Sequence, residues 1–241
     1  MRTSCFALIG VLVLLSGCAT RGSIEADPYE GWNRGVYKFN KGIDKAVLKP
    51  VARGYQAITP DPVETGISNF FSNLFEPLTV LNDLLQGKFG QAGQDSARFL
   101  INSTIGLAGF FDPASRMDLP KHDEDLGQTL GTWGVGSGPY LMLPFLGPAT
   151  VRDGLARFVE TYPYSPIYDV DHVPTRNVIY GFFVIDLRAR LLPLEEQLEN
   201  AIDEYAFIRD AYLQRREFLI YDGNPPLEDD ECEFEDDCEE F

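Results

Sequence analysis

The feature that most constrains the fold of this chain is a run of 26 residues, 126–151, that contains no Asp, Glu, Lys or Arg. An uncharged segment of that length is long enough to cross a lipid bilayer as one helix. It also holds six glycines and three prolines, and no uninterrupted helix tolerates so many breakers. Irregular apolar backbone is compatible with lipid only where protein buries it or where it lines a cavity. Two interpretations follow: a glycine loop packed beneath a soluble core, or the wall of a passage in a membrane-associated protein.

Three alternating glycines, Gly134, Gly136 and Gly138, lie at the centre of this run. They remove side chains from one side of an extended segment, so another group can approach the backbone closely. A phosphate-binding loop is excluded, because no Gly-Lys-Ser or Gly-Lys-Thr sequence follows. If the passage interpretation holds, these glycines are its predicted lining.

The N-terminus, residues 1–17, reads as a secretory signal peptide, with Arg2 followed by an apolar region too short to span a membrane. It ends in Leu15-Ser16-Gly17-Cys18, which resembles the lipobox of bacterial lipoproteins. The resemblance implies cleavage before Cys18 and acylation of that cysteine, and the alternative is a plain signal peptide with an incidental cysteine. Acyl chains give a stable anchor. Ala19, where an Asp would retain a lipoprotein in the inner membrane, points to the outer membrane.

The charge of the chain is concentrated at its C-terminus. The net charge is −17, and residues 228–241 contain ten acidic residues and no Lys or Arg. We predict a disordered acidic tail over residues 222–241 and a short polar tether over residues 18–26. Because a nucleic acid would be repelled by this charge, nucleic-acid binding is excluded as a general function.

No set of catalytic or metal-ligating residues can be assembled from this sequence. It has two histidines and four cysteines, too few for a His/Cys metal framework, and no Gly-x-Ser-x-Gly motif. His122 lies in a charged segment that we expect to be solvated, and His172 lies in a proline-rich linker. We therefore predict that the protein is not an enzyme and that it uses neither a metal nor a cofactor.

The first helix is predicted from an Asp27 cap to Lys49, before Pro50, and it is strongly amphipathic. One face carries apolar residues, and the opposite face carries lysines. A helix of this kind on a lipid-anchored protein is expected to lie in the membrane interface with its lysines at head-group phosphates, although an ordinary surface helix is the alternative. The apolar residues are Trp32, Val36, Phe39, Ile43 and Val47, and the lysines are Lys38, Lys41, Lys45 and Lys49.

The remaining pattern predicts a mainly α-helical single domain of amphipathic helices with few or no strands. Pro77 is expected to divide one helix into two, a hairpin is possible near residues 140–146, and residues 99–111 suggest a buried hairpin or a partly membrane-immersed turn. The helices are expected at residues 61–87, 90–104, 148–162, 175–191 and 193–219.

Two arginines lie on or beside the apolar stripe of the last predicted helix. Arg216 falls inside the stripe and Arg209 at its edge. They either cover apolar surface with their stems near the helix C-terminus or present polar groups to an internal passage, and both interpretations stay open.

Long, specific motifs extend from Asp27 to Tyr221. They are Asp27-Pro28-x-Glu30-x-Trp32-Asn33-Arg34, Ser68-Asn69 with Glu76-Pro77, Asn82-Asp83-Leu84-Leu85-Gln86-Gly87, Arg98-Phe99-x-Ile101-Asn102-Ser103-Thr104-x-Gly106, Gly127-Gln128-Thr129-Leu130-Gly131-x-Trp133-Gly134-Val135-Gly136-x-Gly138-Pro139-Tyr140, Leu143-Pro144, Arg152-Asp153 and Arg209-x-Ala211-Tyr212-x-x-Arg215-Arg216. This set resembles the MlaA (VacJ) family of outer-membrane lipoproteins. The acidic tail and its two cysteines lie outside the resemblance.

The resemblance implies that residues 27–221 form a helical ring in the inner leaflet of the outer membrane, with a polar passage through its centre. It also implies that the protein works with a trimeric porin and transfers phospholipid to a soluble periplasmic carrier. The net effect is removal of misplaced phospholipid from the outer leaflet. The alternative is a tethered structural or assembly lipoprotein with a soluble periplasmic domain.

We expect the mature protein to begin at an acylated Cys18 and to fractionate with the outer membrane. Mass spectrometry of the purified protein tests this through the mass of the N-terminal peptide, with Cys18→Ala as the unmodified control. Detection of residues 1–17 on the mature protein, or of an unmodified N-terminal Cys18, would contradict the prediction.

Overall fold

The computed structural model describes residues 26–161 and 165–226. The predicted signal peptide, the lipidation site Cys18, almost all of the tether and most of the acidic tail lie outside the described residues.

Within these ranges the chain forms nine α-helices and one two-stranded antiparallel sheet, so the prediction of a mainly α-helical domain is confirmed. Short 3₁₀ turns at Ala114–Met117 and Leu192–Leu194 add to these elements. The elements are α1 (Glu30–Ile43), α2 (Lys49–Ile58), α3 (Asp61–Gln86), α4 (Phe89–Thr104), α5 (Leu126–Thr132), β1 (Tyr140–Leu143), β2 (Gly147–Thr150), α6 (Val151–Thr161), α7 (Val173–Leu191), α8 (Glu195–Glu199) and α9 (Glu204–Ile220).

The first helical segment continues beyond its expected end at Lys49. A π-helical turn, Asp44–Leu48, joins α1 directly to α2. Pro50 is the second residue of α2 and comes directly after this π-helical turn, so it lies inside one continuous helical segment. The chain therefore stays helical to Ile58, and the prediction of a stop before Pro50 was wrong.

Helix α3 is uninterrupted over 26 residues, so the predicted break at Pro77 was also wrong. Pro77 is exposed, whereas its neighbours Asn73 and Glu76 are buried on the face of α3 that packs against α4. The proline removes one backbone hydrogen bond, and helix–helix packing holds the turn in spite of that loss.

The C-terminal segment is divided where we expected one helix over residues 193–219. Helix α8 ends at Glu199, and Asp203 caps α9 by accepting hydrogen bonds from the backbone N–H groups of Tyr205 and Ala206. An Asp side chain that caps a new helix competes with continuation of the preceding one, which accounts for the division.

The hairpin near residues 140–146 is confirmed, with Tyr140 opposite Thr150 and Leu143 opposite Gly147. Pro148 lies in β2, and α6 begins only at Val151, three residues later than predicted. The uncharged run of residues 126–151 is therefore a short helix, a glycine loop and a hairpin.

Polar and apolar side chains are distributed unusually in the described part of the chain. Buried polar and charged residues outnumber buried hydrophobic ones, while large hydrophobic side chains are widely exposed. The turn after α4 shows the pattern, because Ile105, Leu107 and Phe111 are all more than half exposed, which rules out a buried hairpin there. None of the helices among residues 26–161 and 165–226 combines the length and apolar character needed to cross a membrane.

Asn33 on α1 ties together the first and last parts of the domain. It is fully buried, and its amide nitrogen donates to Asp27 Oδ1 at 2.8 Å and to the Tyr140 carbonyl at 3.1 Å. Its amide oxygen accepts from the Met142 N–H at 2.8 Å. Asp27 accepts in turn from the Tyr205 hydroxyl at 2.5 Å on α9, so it joins two elements and is not the expected helix cap.

We expect Asn33→Ala to lower the free energy of unfolding by about 2–3 kcal/mol, because it leaves buried partners without hydrogen bonds. For a domain of this size that corresponds to a fall in melting temperature of roughly 5–10 °C. Circular dichroism on heating measures it, and Asn177→Ala, at an exposed position on α7, is the control. Equal melting of the two variants would contradict the expectation.

Candidate functional site: an apolar cavity with four charged residues

A cavity of about 1050 Å³ lies between α3, α6, α7 and the hairpin. Helix α3 contributes Phe75, Leu78 and Thr79, and the hairpin contributes Leu141 and Leu143. Most of the lining is aliphatic or aromatic. The space can therefore accept a long apolar group.

Helical periodicity explains why these walls are apolar. On α6 the residues Val151, Gly154, Leu155 and Phe158 line the cavity, and they follow the i, i+3, i+4, i+7 spacing of one helix face. On α7 the same spacing relates Tyr180, Phe183, Val184 and Leu187. Each helix thus turns one apolar face towards the cavity.

Phe183 anchors the wall between α3 and α7. Its ring centroid lies 5.2 Å from those of Phe71 and Phe75 and 6.3 Å from that of Tyr180. Tilted aromatic contacts at these distances are favourable. They fix the separation of the two helices and hence the width of the cavity.

Four charged residues also line the cavity, and three of them are engaged by other protein groups. Glu124 pairs with Lys88 at 2.8 Å. Glu160 accepts from the side-chain amide of Asn82 and from the Leu126 N–H, each at 2.8 Å, and burial raises its pKa. The third, Arg188, forms a two-pronged pair with Asp44 at 2.6 and 2.9 Å and also pairs with Glu195. The fourth is Arg157.

Arg216, predicted as a possible passage residue, is paired with two carboxylates. It contacts Asp125 through two hydrogen bonds of 2.6 and 2.9 Å and Asp153 through two of 3.0 and 3.1 Å. Burial opposes ionisation of both carboxyls, but the Arg216 guanidinium outweighs it and lowers the pKa of each. Arg216 joins α9 to α5 and α6 and is absent from the cavity lining.

Arg209 has a similar role at the other end of α9. It is buried, lies 3.5 Å from Asp27 and pairs with Asp210 at 2.7 Å. Its guanidinium also lies 5.9 Å from the ring centre of Tyr205. Arg209 too is outside the cavity lining, and neither of the two arginines is held in place mainly by a helix C-terminus.

The glycine loop lies on the surface, away from the cavity. Gly134 and Gly138 have positive φ angles of 86° and 65°, and a side chain at Gly136 would meet nothing within 4 Å. None of these three glycines lines the cavity. They serve a turn that Arg152 holds by donating to the Val135 carbonyl at 3.0 Å, and the role of these glycines in lining a lipid passage stays a prediction.

The four lysines of the first helical segment divide into two pairs. Lys41 contacts Glu204, and Lys49 lies 2.9 Å from Glu195. Lys38 and Lys45 are exposed and have no carboxylate within 4.0 Å among the described residues. The contact of these lysines with lipid phosphates therefore stays a prediction, with Lys38 and Lys45 the ones free to make it.

A buried acidic cluster between α3 and α4 was missed by the sequence analysis. Asp83, Asp95 and Glu76 are almost wholly inaccessible, and burial raises the pKa values of Glu76 and Asp83 to about 7. His122 lies 2.8 Å from Asp95, so its expected placement in a solvated charge cluster was wrong. Among residues 26–161 and 165–226, no group of three or more His, Cys, Asp or Glu side chains is arranged to hold a metal ion.

The cavity walls were also missed, although the sequence carries a signal for them. The apolar spacing of α6 and α7 could have assigned one face of each helix to a common space. Nothing in the spacing tells which charged residues on those faces are already paired, because their partners, such as Asp44 for Arg188, are distant in sequence.

Comparison with known proteins gives a consistent result. The model of the MlaA lipoprotein family matches residues 25–219. The chain is 36% identical to the intermembrane phospholipid transport system lipoprotein MlaA of Escherichia coli K12, over 92% of this chain and 90% of that one. Its identity to the Haemophilus influenzae protein of the same name is 34%, over 92% of each.

A solved structure from work on the structural basis for maintenance of bacterial outer membrane lipid asymmetry aligns with a TM-score of 0.71 at 36% identity. The alignment covers 81% of this chain and all of that one. The family model, the relatives and the fold agree over nearly the whole helical domain, and the chain belongs to the MlaA lipoprotein family.

Proposed function

We propose that this lipoprotein removes misplaced phospholipid from the outer leaflet of the outer membrane and delivers it to a soluble periplasmic carrier. A trimeric porin is its proposed partner in the membrane. The observation that carries the proposal is the cavity of about 1050 Å³, whose walls are mainly apolar and include four charged residues. Its relatives in Escherichia coli and Haemophilus influenzae are named as phospholipid transport lipoproteins.

The cavity fits the two chemical halves of a phospholipid. Its volume is slightly above the range of about 300–1000 Å³ for small-molecule sites. Apolar walls suit acyl chains, and a charged head group needs polar partners because its desolvation is costly. We infer that this cavity is the lipid passage, with apolar walls for the acyl chains and charged residues for the head group.

The distribution of surface residues supports a domain lying in the inner leaflet. Soluble monomers rarely expose extensive apolar surface, yet Phe39, Phe89, Leu100 and Ile105 are all about half exposed or more. A helical ring at this depth lets lipid tails stay in the membrane while head groups cross the protein. Exposed Lys38 and Lys45 add attraction of about 1 kcal/mol each where they meet an anionic surface.

This function requires no chemical change in the lipid. We infer a transporter and not an enzyme, consistent with the transport role for which the relatives are named. The product handed to the carrier is then the same phospholipid that entered.

We expect Thr79→Trp to block transport, because Thr79 faces the cavity from α3 and a large ring there fills part of its volume. Thr79→Val is the matched control, since it keeps the size of the side chain and the space. Cells carrying Thr79→Trp should accumulate outer-leaflet phosphatidylethanolamine, measured with a membrane-impermeant amine reagent, as cells lacking the protein do.

Both variants must first show wild-type abundance and outer-membrane location. Normal outer-leaflet lipid in a well-folded Thr79→Trp strain would contradict a passage through this cavity. Lysophospholipid or free fatty acid that depends on the wild-type protein would contradict transport without chemistry.

We also expect the domain to stay on the membrane without its lipid anchor. Residues 1–18 are replaced by a cleavable signal peptide that leaves no cysteine, and membranes are washed with alkaline carbonate without detergent. Retention of the unlipidated protein supports an embedded domain. Its complete release would favour the alternative, a tethered structural lipoprotein with a soluble domain.

A further inference from the structure

We propose that Arg157 on α6 binds the phosphate of a phospholipid in the cavity. This inference rests on the proposed function and names the group that recognises the lipid head. It identifies the ligand class as a phosphodiester that carries acyl chains.

Arg157 is the charged residue of the cavity lining that lacks an ionic partner. No carboxylate lies within 4.0 Å of it among residues 26–161 and 165–226, and its Nη1 donates one hydrogen bond of 3.1 Å to the Leu146 carbonyl. A guanidinium has five N–H donors. Several donors of Arg157 are therefore available to a bound anion.

The other charges of the lining cannot take this role. Arg188 is already neutralised by Asp44 and Glu195. Glu124 and Glu160 are acceptors, and a phosphate would be repelled by their ionised forms. The lining of the cavity thus has one unpaired positive charge, which matches the single negative charge of a phosphodiester.

Arg157 lies at one end of the cavity, as a residue that binds the head group of a lipid must when the acyl chains occupy the rest. The Leu146 carbonyl holds it beside the hairpin turn, where Phe145 is 74% exposed, so this end of the cavity is its rim. Leu155 and Phe158, on the same helix, are more than half exposed. A head group can bind at the rim while its acyl chains lie against the apolar walls formed by α3 and α7.

Arginine is suited to this ligand, because its planar fork forms paired hydrogen bonds with phosphate oxygens. Free inorganic phosphate presents the same oxygens but makes no use of the apolar walls. The combination of one unpaired guanidinium with an apolar cavity favours the lipid over the free anion.

Calorimetric binding to the purified full-length protein in amphipol tests the proposal. The probes are dioctanoylphosphatidylglycerol, dioctanoylglycerol, which lacks the phosphate, and inorganic phosphate. We expect Arg157→Gln to weaken binding of the phospholipid about tenfold, equivalent to about 1.4 kcal/mol, with binding of dioctanoylglycerol unchanged. Arg157→Lys should have an intermediate effect, since it keeps the charge and loses the fork.

The matched control is Arg215→Gln, which removes an exposed arginine of α9 outside the cavity lining and should leave both affinities at wild-type values. Equal melting temperatures for all variants exclude unfolding as the cause of weaker binding.

Each other outcome is decisive. Wild-type affinity for the phospholipid in Arg157→Gln would overturn the role of Arg157 and leave a lipid-binding cavity, and so the proposed function, intact. Binding of inorganic phosphate as tight as that of the phospholipid would make this a free-anion site and overturn the lipid assignment. A wild-type protein that binds neither lipid would overturn the proposed function and this inference together.

Discussion

The guanidinium of Arg216, on a side chain that is only 11% exposed, joins the last helix to two earlier helices of the domain. A cation in this position is tolerated only when carboxylates match it, and Asp125 and Asp153 do so from two different helices. Asp125 also caps α5 through the Gln128 N–H, so one side chain fixes the start of a helix and its attachment to α9. Asp153, which further accepts from the Tyr212 hydroxyl at 2.8 Å, orients α6 and with it one wall of the cavity.

These internal ion pairs and hydrogen bonds are needed because many large hydrophobic side chains of the domain point outward. A domain that turns its large apolar residues to the surface cannot rely on a hydrophobic core, so hydrogen-bond and ion-pair networks join its helices from inside. Asn33 with Asp27, Arg98 with Asp112, and Arg216 with its two partners are examples of such links. In water an exposed apolar surface of this extent favours association or aggregation, and in a lipid interface the same surface is solvated. An outward apolar surface of this extent therefore suits the membrane location that we propose for the domain.

The sequence predicted the fold class and most helix positions because helical periodicity and proline or glycine signals are local. It failed where distant contacts override local preference: Pro77 lies within α3 because of packing against α4, and Asp203 separates α8 from α9. Motifs such as the one around Asn33 identified the helical domain, but they did not indicate which residues line the cavity. The glycine loop has a distinctive local pattern because it lacks charge. The cavity lies on apolar helix faces, and these have the same spacing as faces that pack in an ordinary protein core.

Charge pairing distinguishes Arg157 from the other arginine of the cavity lining and from the two arginines of α9 that the sequence singled out. Arg209, Arg188 and Arg216 each meet at least one carboxylate, and each joins elements that are far apart in sequence. Placing a charge in an apolar wall without a partner costs free energy, so an unpaired cation of the cavity lining is expected at its exposed end. Arg157 lies at that end. An arriving phosphate meets a guanidinium that the Leu146 carbonyl already holds in place, so binding requires little reorganisation of the protein.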